Sequence, residues 1–271
     1  MIVIKDKFMV CLLRKFIIYG LFLLIVLVIF FDLKAWKSLN DEEKQNVRKK
    51  DIIVCLDPGH GGVKNGCQFV YDGVNVSEKD INLKISLKVK EYLKEHGGIR
   101  VVMTREEDKD IDLKERVKFA KNVYADYLVS IHNNSSGKDV NHKGCLAIVT
   151  QSYYNAPRAK VKSVYQSSEH LAKSMLAQLQ KIGISITTDW EAHKNEGLLR
   201  RNCTDNSKYA DGSSADYYTI TYEATKIGLP SVLIETAFLS SESDYRNFLC
   251  DEEKLSSIAR AVADGIINHI F

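Results

Sequence analysis

The chain has 271 residues, 45% of them hydrophobic, enough to bury the core of one large domain or two small ones. Its 38 basic and 35 acidic residues leave a formal net charge of +3, and part of that excess flanks an amino-terminal apolar run. That balance argues against nucleic acid or another polyanion as the partner.

Residues 1–15 are basic, with Lys5, Lys7, Arg14 and Lys15 preceding the uncharged run Phe16 to Phe31. A basic flank ahead of an apolar run predicts an inside amino terminus and an anchor over residues 16–33. Signal-peptide cleavage needs small residues, and Leu33-Lys34-Ala35 offers only one, so the anchor is expected to stay uncleaved. As a helix the run spans about 24 Å against a hydrocarbon core of about 30 Å, so Arg14, Lys15 and Lys34 must snorkel or the bilayer must thin. Residues 34–51 are highly charged and read as a solvated spacer. One folded domain is then expected over residues 52–271. Of the five cysteines beyond the apolar run, an odd number, none has zinc-ribbon or Cys-x-x-Cys spacing, so they read mainly as small apolar residues with at most one disulfide.

Short runs rich in β-branched residues predict buried strands at Ile52 to Leu56, Arg100 to Thr104, Tyr127 to His132, Cys145 to Thr150 and Ser231 to Glu235. Helical spacing runs from Ser77 to about His96, Leu113 to Val123, Gln166 to Ile182 and Ser256 to Ile270. Strands alternating with amphipathic helices predict an α/β sheet with helices on both faces. In such sheets functional groups gather where strands exit, and three of the strands deliver His60, His132 and Glu235 there.

The loop Asp57-Pro58-Gly59-His60-Gly61-Gly62 carries a histidine among glycines that permit positive φ and close backbone approach. Alone, it reads equally as an ordinary turn. Ser77 is the expected N-cap of the following helix with Asp80 three residues on, which places Glu78 on the first turn. There it serves either the helix dipole or a metal. His132 leaves an apolar strand into the polar stretch Asn133-Asn134-Ser135-Ser136. Two histidines and one carboxylate form a common catalytic zinc set, and the absence of His-Glu-x-x-His excludes the helical protease site. Glu235 closes Val232-Leu233-Ile234 and by position is either a buried salt-bridge partner or a general base.

Taken together, LDPGHGG, SEKDINL, VVMTREED, LKERVKFAKN, LVSIHNNS and PSVLIETAFLSSESDYRNFL closely resemble the zinc-dependent N-acetylmuramoyl-L-alanine amidases of the type 3 family, from about Ile52 to the carboxyl end. The resemblance implies a twisted, mostly parallel six-stranded sheet flanked by helices. It also implies hydrolysis of the amide between N-acetylmuramic acid and the L-alanine of the peptidoglycan stem peptide. His60, Glu78 and His132 match the ligands of one zinc ion, and Glu235 matches the catalytic glutamate. Arg105 and Arg116, in family-like stretches, read as structural ion-pair partners.

The segment Thr187 to Ala215 is long, polar and poor in periodicity, and departs most from the family pattern. It reads as a lid or a substrate loop, and the resemblance, through relatives in which an insertion covers the zinc until a partner displaces it, suggests an activator protein acting on it. No appended wall-binding repeat is visible, so the membrane anchor is expected to hold the enzyme at the outer face of the cytoplasmic membrane. Two rival readings are a degenerate module that binds peptidoglycan without cutting it and a zinc endopeptidase acting inside the stem peptide.

Overall fold

The computed structural model describes Asp32, Lys34 and residues 51–137, 142–150, 158–188, 190–201 and 218–271. The expected anchor and spacer lie outside these, apart from Asp32, Lys34 and Asp51. Among the described residues no helix is long and apolar enough to cross a membrane. Residues 51–271 form one compact unit.

Strand β1 (Ile52–Pro58) leads through a glycine-rich loop to a hairpin of β2 (Gln68–Tyr71) and β3 (Val74–Ser77), and then to helix α1 (Glu78–His96). There follow β4 (Ile99–Met103), α2 (Leu113–Asn122), β5 (Tyr127–Asn134), β6 (Leu146–Thr150) and α3 (Arg158–Lys181). A short helical turn, Trp190–Lys194, precedes β7 (Leu198–Arg201). Helix α4 (Thr219–Lys226), β8 (Ser231–Phe238), a helical segment across Glu242–Asp244 and Tyr245–Leu249, and α5 (Glu252–Ile270) complete the unit.

Six strands form one sheet in the order β4-β1-β5-β8-β6-β7. Four of its five pairings are parallel, and β6 runs antiparallel to β8. The sheet is therefore mostly parallel, as expected. Side chains alternate across it. Val54, Leu56, Val129, Ile131, Val232 and Ile234 pack with α1, α3 and α5, whereas Cys55 and Leu128 pack with Val117 and Ala120 of α2 and Ile220 and Ala224 of α4. This period of two lets a continuous apolar run serve helices on both faces. Helix α1 buries Ile81, Ile85, Val89 and Leu93, a stripe at helical spacing that fixes the helix against the sheet.

Several features depart from the sequence reading. Part of the expected lid is structural, because Leu198–Arg201 is a sheet strand paired with β6. Residues 202–217 of that segment lie outside the described residues. The hairpin closes on Asp72 and Gly73, both with positive φ (52° and 79°), as a two-residue hairpin turn requires. Ser77 is the N-cap of α1, but its side chain makes no capping bond. Its hydroxyl accepts from Gln68 Nε2 at 3.1 Å, and the first helical N–H groups, of Glu78 and Lys79, reach the carbonyls of Cys67 and Asn65. Cys55, Cys67, Cys145 and Cys250 are free thiols, so among the described residues there is no disulfide.

Candidate metal centre

Because β1, β5 and β8 run parallel, their carboxyl ends open at one edge of the sheet. His60 follows β1, His132 lies near the end of β5, and Glu78 opens α1. Their donor atoms lie within 4.8 Å of one another. Glu78 Oε1 is 2.9 Å from His132 Nδ1, and Oε2 is 3.2 Å from His60 Nε2. Glu235 is the register partner of His132 on the adjacent strand, so the two side chains share a side of the sheet. All four line one cavity of about 670 Å³, with Lys64, Cys67, Asn134 and Ser135 among the other walls.

The His60 loop is held from behind. His60 has φ of 58°, a left-handed conformation that costs a non-glycine residue energy and persists only where its surroundings enforce it. Arg116, almost fully buried, donates to the carbonyls of Pro58 (2.8 Å) and His60 (2.7 Å) and to Asp57 Oδ1 (2.9 Å). Arg105 donates to the carbonyls of Pro58, Gly59, Glu107 and Lys79 at 2.8–3.2 Å. Arg116 thus has the expected ion-pair role, whereas Arg105 acts as a clamp on backbone carbonyls. Burial alone would raise the Asp57 carboxyl. The Arg116 charge and hydrogen bonds from Thr104, Ser130 and Arg116 outweigh it and hold the group below its usual range.

The electrostatics around Glu78 and His132 favour forms that could ligate a metal. Burial favours a neutral Glu78, but hydrogen bonds from His132 and His60 and the charges of both rings hold its carboxyl well below the ordinary range. Burial lowers His132, against the pull of Glu78, which favours the neutral form of its ring. The outer edge of that ring rests on Gly59, where an added Cβ would lie 2.2 Å from Nε2 and Cε1. Nδ1 is therefore the nitrogen turned toward Glu78. Two imidazole nitrogens and an ionised carboxylate suit zinc.

Cys67, though in the cavity wall, has its thiol pushed up by burial and by the charges of Glu78 and Glu235, so it remains protonated. Burial and the charge of Glu78 together raise Glu235 well above the ordinary range. Its Oε2 is buried without a hydrogen-bond partner among the described residues. Among the described residues no cation pairs with it, which weighs against the salt-bridge reading left open by its position in the sequence.

Asn82, Asn133 and Thr236, all buried beside the centre, were not anticipated. Asn82 follows Glu78 by four residues on α1, a spacing that shares one helix face and was legible in SEKDINL.

Comparison with known proteins identifies the family. A family model described as N-acetylmuramoyl-L-alanine amidase matches residues 54–268. The chain belongs to this family. The amidase is 28% identical over 271 residues to a germination-specific N-acetylmuramoyl-L-alanine amidase of Bacillus subtilis, covering 94% of this chain and 96% of that protein. Among solved structures it resembles the catalytic domain of CwlV, an N-acetylmuramoyl-L-alanine amidase from Bacillus (Paenibacillus) polymyxa. The TM-score is 0.56 at 28% identity, over 81% of this chain and 98% of that one. It also resembles the CwlD amidase from Clostridioides difficile, solved in complex with the GerS lipoprotein, with a TM-score of 0.59 at 26% identity over 81% and 98% of the two chains.

Proposed function

We propose that this amidase cleaves the bond between N-acetylmuramic acid and L-alanine in peptidoglycan with one zinc ion held by His60, Glu78 and His132. The observation that carries this reading is the convergence of three ligand-competent donors within 4.8 Å in a cavity also lined by Glu235, whose Oε2 has no hydrogen-bond partner among the described residues. Zinc bound by these residues would supply a Lewis acid that polarises the amide carbonyl and acidifies water.

The protein's own groups do the rest. Glu235, with an affinity for protons raised by burial and by Glu78, takes a proton on its carboxylate from the attacking water and returns it to the departing nitrogen of L-alanine. Acting near neutral pH needs such a raised value, because an ordinary carboxylate is too weak a base to hold the proton between the two steps. The cavity orients the glycopeptide, with amide and hydroxyl groups of Asn134 and Ser135 available to its polar atoms. His132→Ala and Glu235→Ala proteins should release no stem peptide from peptidoglycan, and only His132→Ala should also lose zinc. Near-normal turnover by zinc-loaded Glu235→Ala would remove Glu235 from this role.

We propose further that residues 16–33 anchor the enzyme in the cytoplasmic membrane, with residues 34–51 as spacer and 52–271 as the catalytic domain on the outer face. Recovery of the intact protein free in the medium would contradict the anchor. The relatives named germination-specific and sporulation-specific support a spore-envelope substrate. The relative solved with a lipoprotein supports an activator protein, acting here on the part of residues 187–215 that lies outside β7. Deleting residues 202–217, which spares β7, should raise the basal rate, and an unchanged or lower rate would contradict a lid.

A further inference from the structure

Behind the centre, three neutral polar side chains form a hydrogen-bonded chain with one direction. Thr236 Oγ1 donates to Asn133 Oδ1 at 2.7 Å, and Asn133 Nδ2 donates to Asn82 Oδ1 at 2.8 Å. Asn82 Nδ2 then donates to Glu78 Oε1 at 3.2 Å and to the Gly59 carbonyl at 3.3 Å. All three residues are at most 1% exposed, so water does not compete for these bonds. The polarity is forced, because the chain ends on an ionised carboxylate and a carbonyl, both of which only accept. Turning either amide over would set oxygen against oxygen.

The position of each member adds to the case. Asn82 lies one turn beyond Glu78, Asn133 follows His132, and Thr236 follows Glu235. Asn82 also holds the residue before His60. The chain therefore touches every segment that carries a proposed metal ligand, as well as the strand that carries Glu235. Asn133 lines the cavity, whereas Asn82 and Thr236 do not, so these two are not placed to touch substrate.

Resting on the zinc reading above, we infer that Asn82 is a positioning residue that sets metal affinity by orienting the Glu78 carboxylate and the His60 loop, with Asn133 and Thr236 fixing the direction of its amide. Neutral partners that orient a ligating group typically change metal affinity by about 10–100-fold when removed. The effect should grade along the chain, being largest for the residue that touches Glu78.

The test measures zinc affinity of the purified residue 51–271 unit and the full chain in detergent by competition with a chromophoric chelator, alongside the melting temperature of the zinc-free protein. Asn82→Leu, close in volume, should bind zinc about 10–100-fold more weakly. Asn82→Asp, which places a second acceptor against Glu78, should bind at least as weakly, and Thr236→Val should lose several-fold with little change in melting temperature. Val89→Ala, a core truncation on the same helix, should lower the melting temperature and leave zinc affinity intact. If wild type binds zinc and Thr236→Val and every folded Asn82 variant bind within twofold of it, the positioning role is wrong. If wild type binds no zinc, the metal reading itself fails.

Discussion

Gly59→Ala offers a sharp steric test of the centre. Gly59 is not among the glycines with positive φ, so alanine meets no backbone penalty there. The cost is spatial. The new Cβ would lie 2.2 Å from both Nε2 and Cε1 of His132, against an ordinary contact beginning at 3.4 Å, so ring and loop must separate by about 1.2 Å. The loop is held by Arg105 and Arg116 and the ring lies in a buried strand, so neither yields freely. Overpacking of this kind costs about 1–3 kcal/mol of stability. Displacement of a reacting group by about 1 Å costs on the order of 100-fold in rate. Purified Gly59→Ala should melt a few degrees low, bind zinc more weakly, and release stem peptides on the order of 100-fold more slowly. A folded Gly59→Ala enzyme with wild-type zinc affinity and rate would refute this placement of His132.

Arg116→Met should strand the buried Asp57 carboxylate, costing about 3–5 kcal/mol, or roughly 6–20 °C in melting temperature for a domain of this size. Asp57 lies below its usual range in the fold, so its stabilisation is present above the unfolded value of about 4 and fades as pH falls through the folded one. The gap between wild type and Arg116→Met, followed by thermal melts, should therefore narrow in acid. Glu235 has the opposite sign. Its raised affinity for protons stabilises the fold below the ordinary carboxylate range, and that contribution is lost as pH rises through the folded value. Zinc-free Glu235→Gln should thus gain more in melting temperature, relative to wild type, at pH 8 than at pH 5. With zinc restored, the same variant should lose about 10²–10⁴ in turnover, and an equal gain at both pH values would contradict a raised Glu235.

The parallel core of the fold was legible because its strands are unbroken β-branched runs and its helices carry regular apolar stripes. What escaped lacked such patterns. β7 is four residues long and half arginine, so it reads as polar, and only pairing with β6 makes it a strand. Helix α4 has eight residues, too few for periodicity to stand out. Asp72-Gly73 was a usable turn signal for the hairpin, whereas the reversed direction of β6 leaves no mark in a strand's own composition.

At the site, His60, Glu78 and His132 could be placed at two strand exits and a helix start from the sequence, but their selection as proposed ligands came from the family resemblance. By sequence Glu235 could not be separated from a salt-bridge partner, whereas in the fold its Oε2 is buried with no hydrogen-bond partner among the described residues. Arg105 read as an ion-pair residue because composition records its charge and not the four carbonyls that curve around it. Asn82, Asn133 and Thr236 are neutral residues from three distant segments, and only the fold brings them into line.

Mass spectrometry of peptidoglycan digested by the wild-type enzyme, with and without a zinc chelator, tests the central claim most directly. The predicted products are glycan strands with free lactyl carboxyl groups and stem peptides with amino-terminal L-alanine, lost with chelator and restored by zinc. A new amine elsewhere in the stem peptide, no cleavage, or cleavage indifferent to the chelator would contradict it.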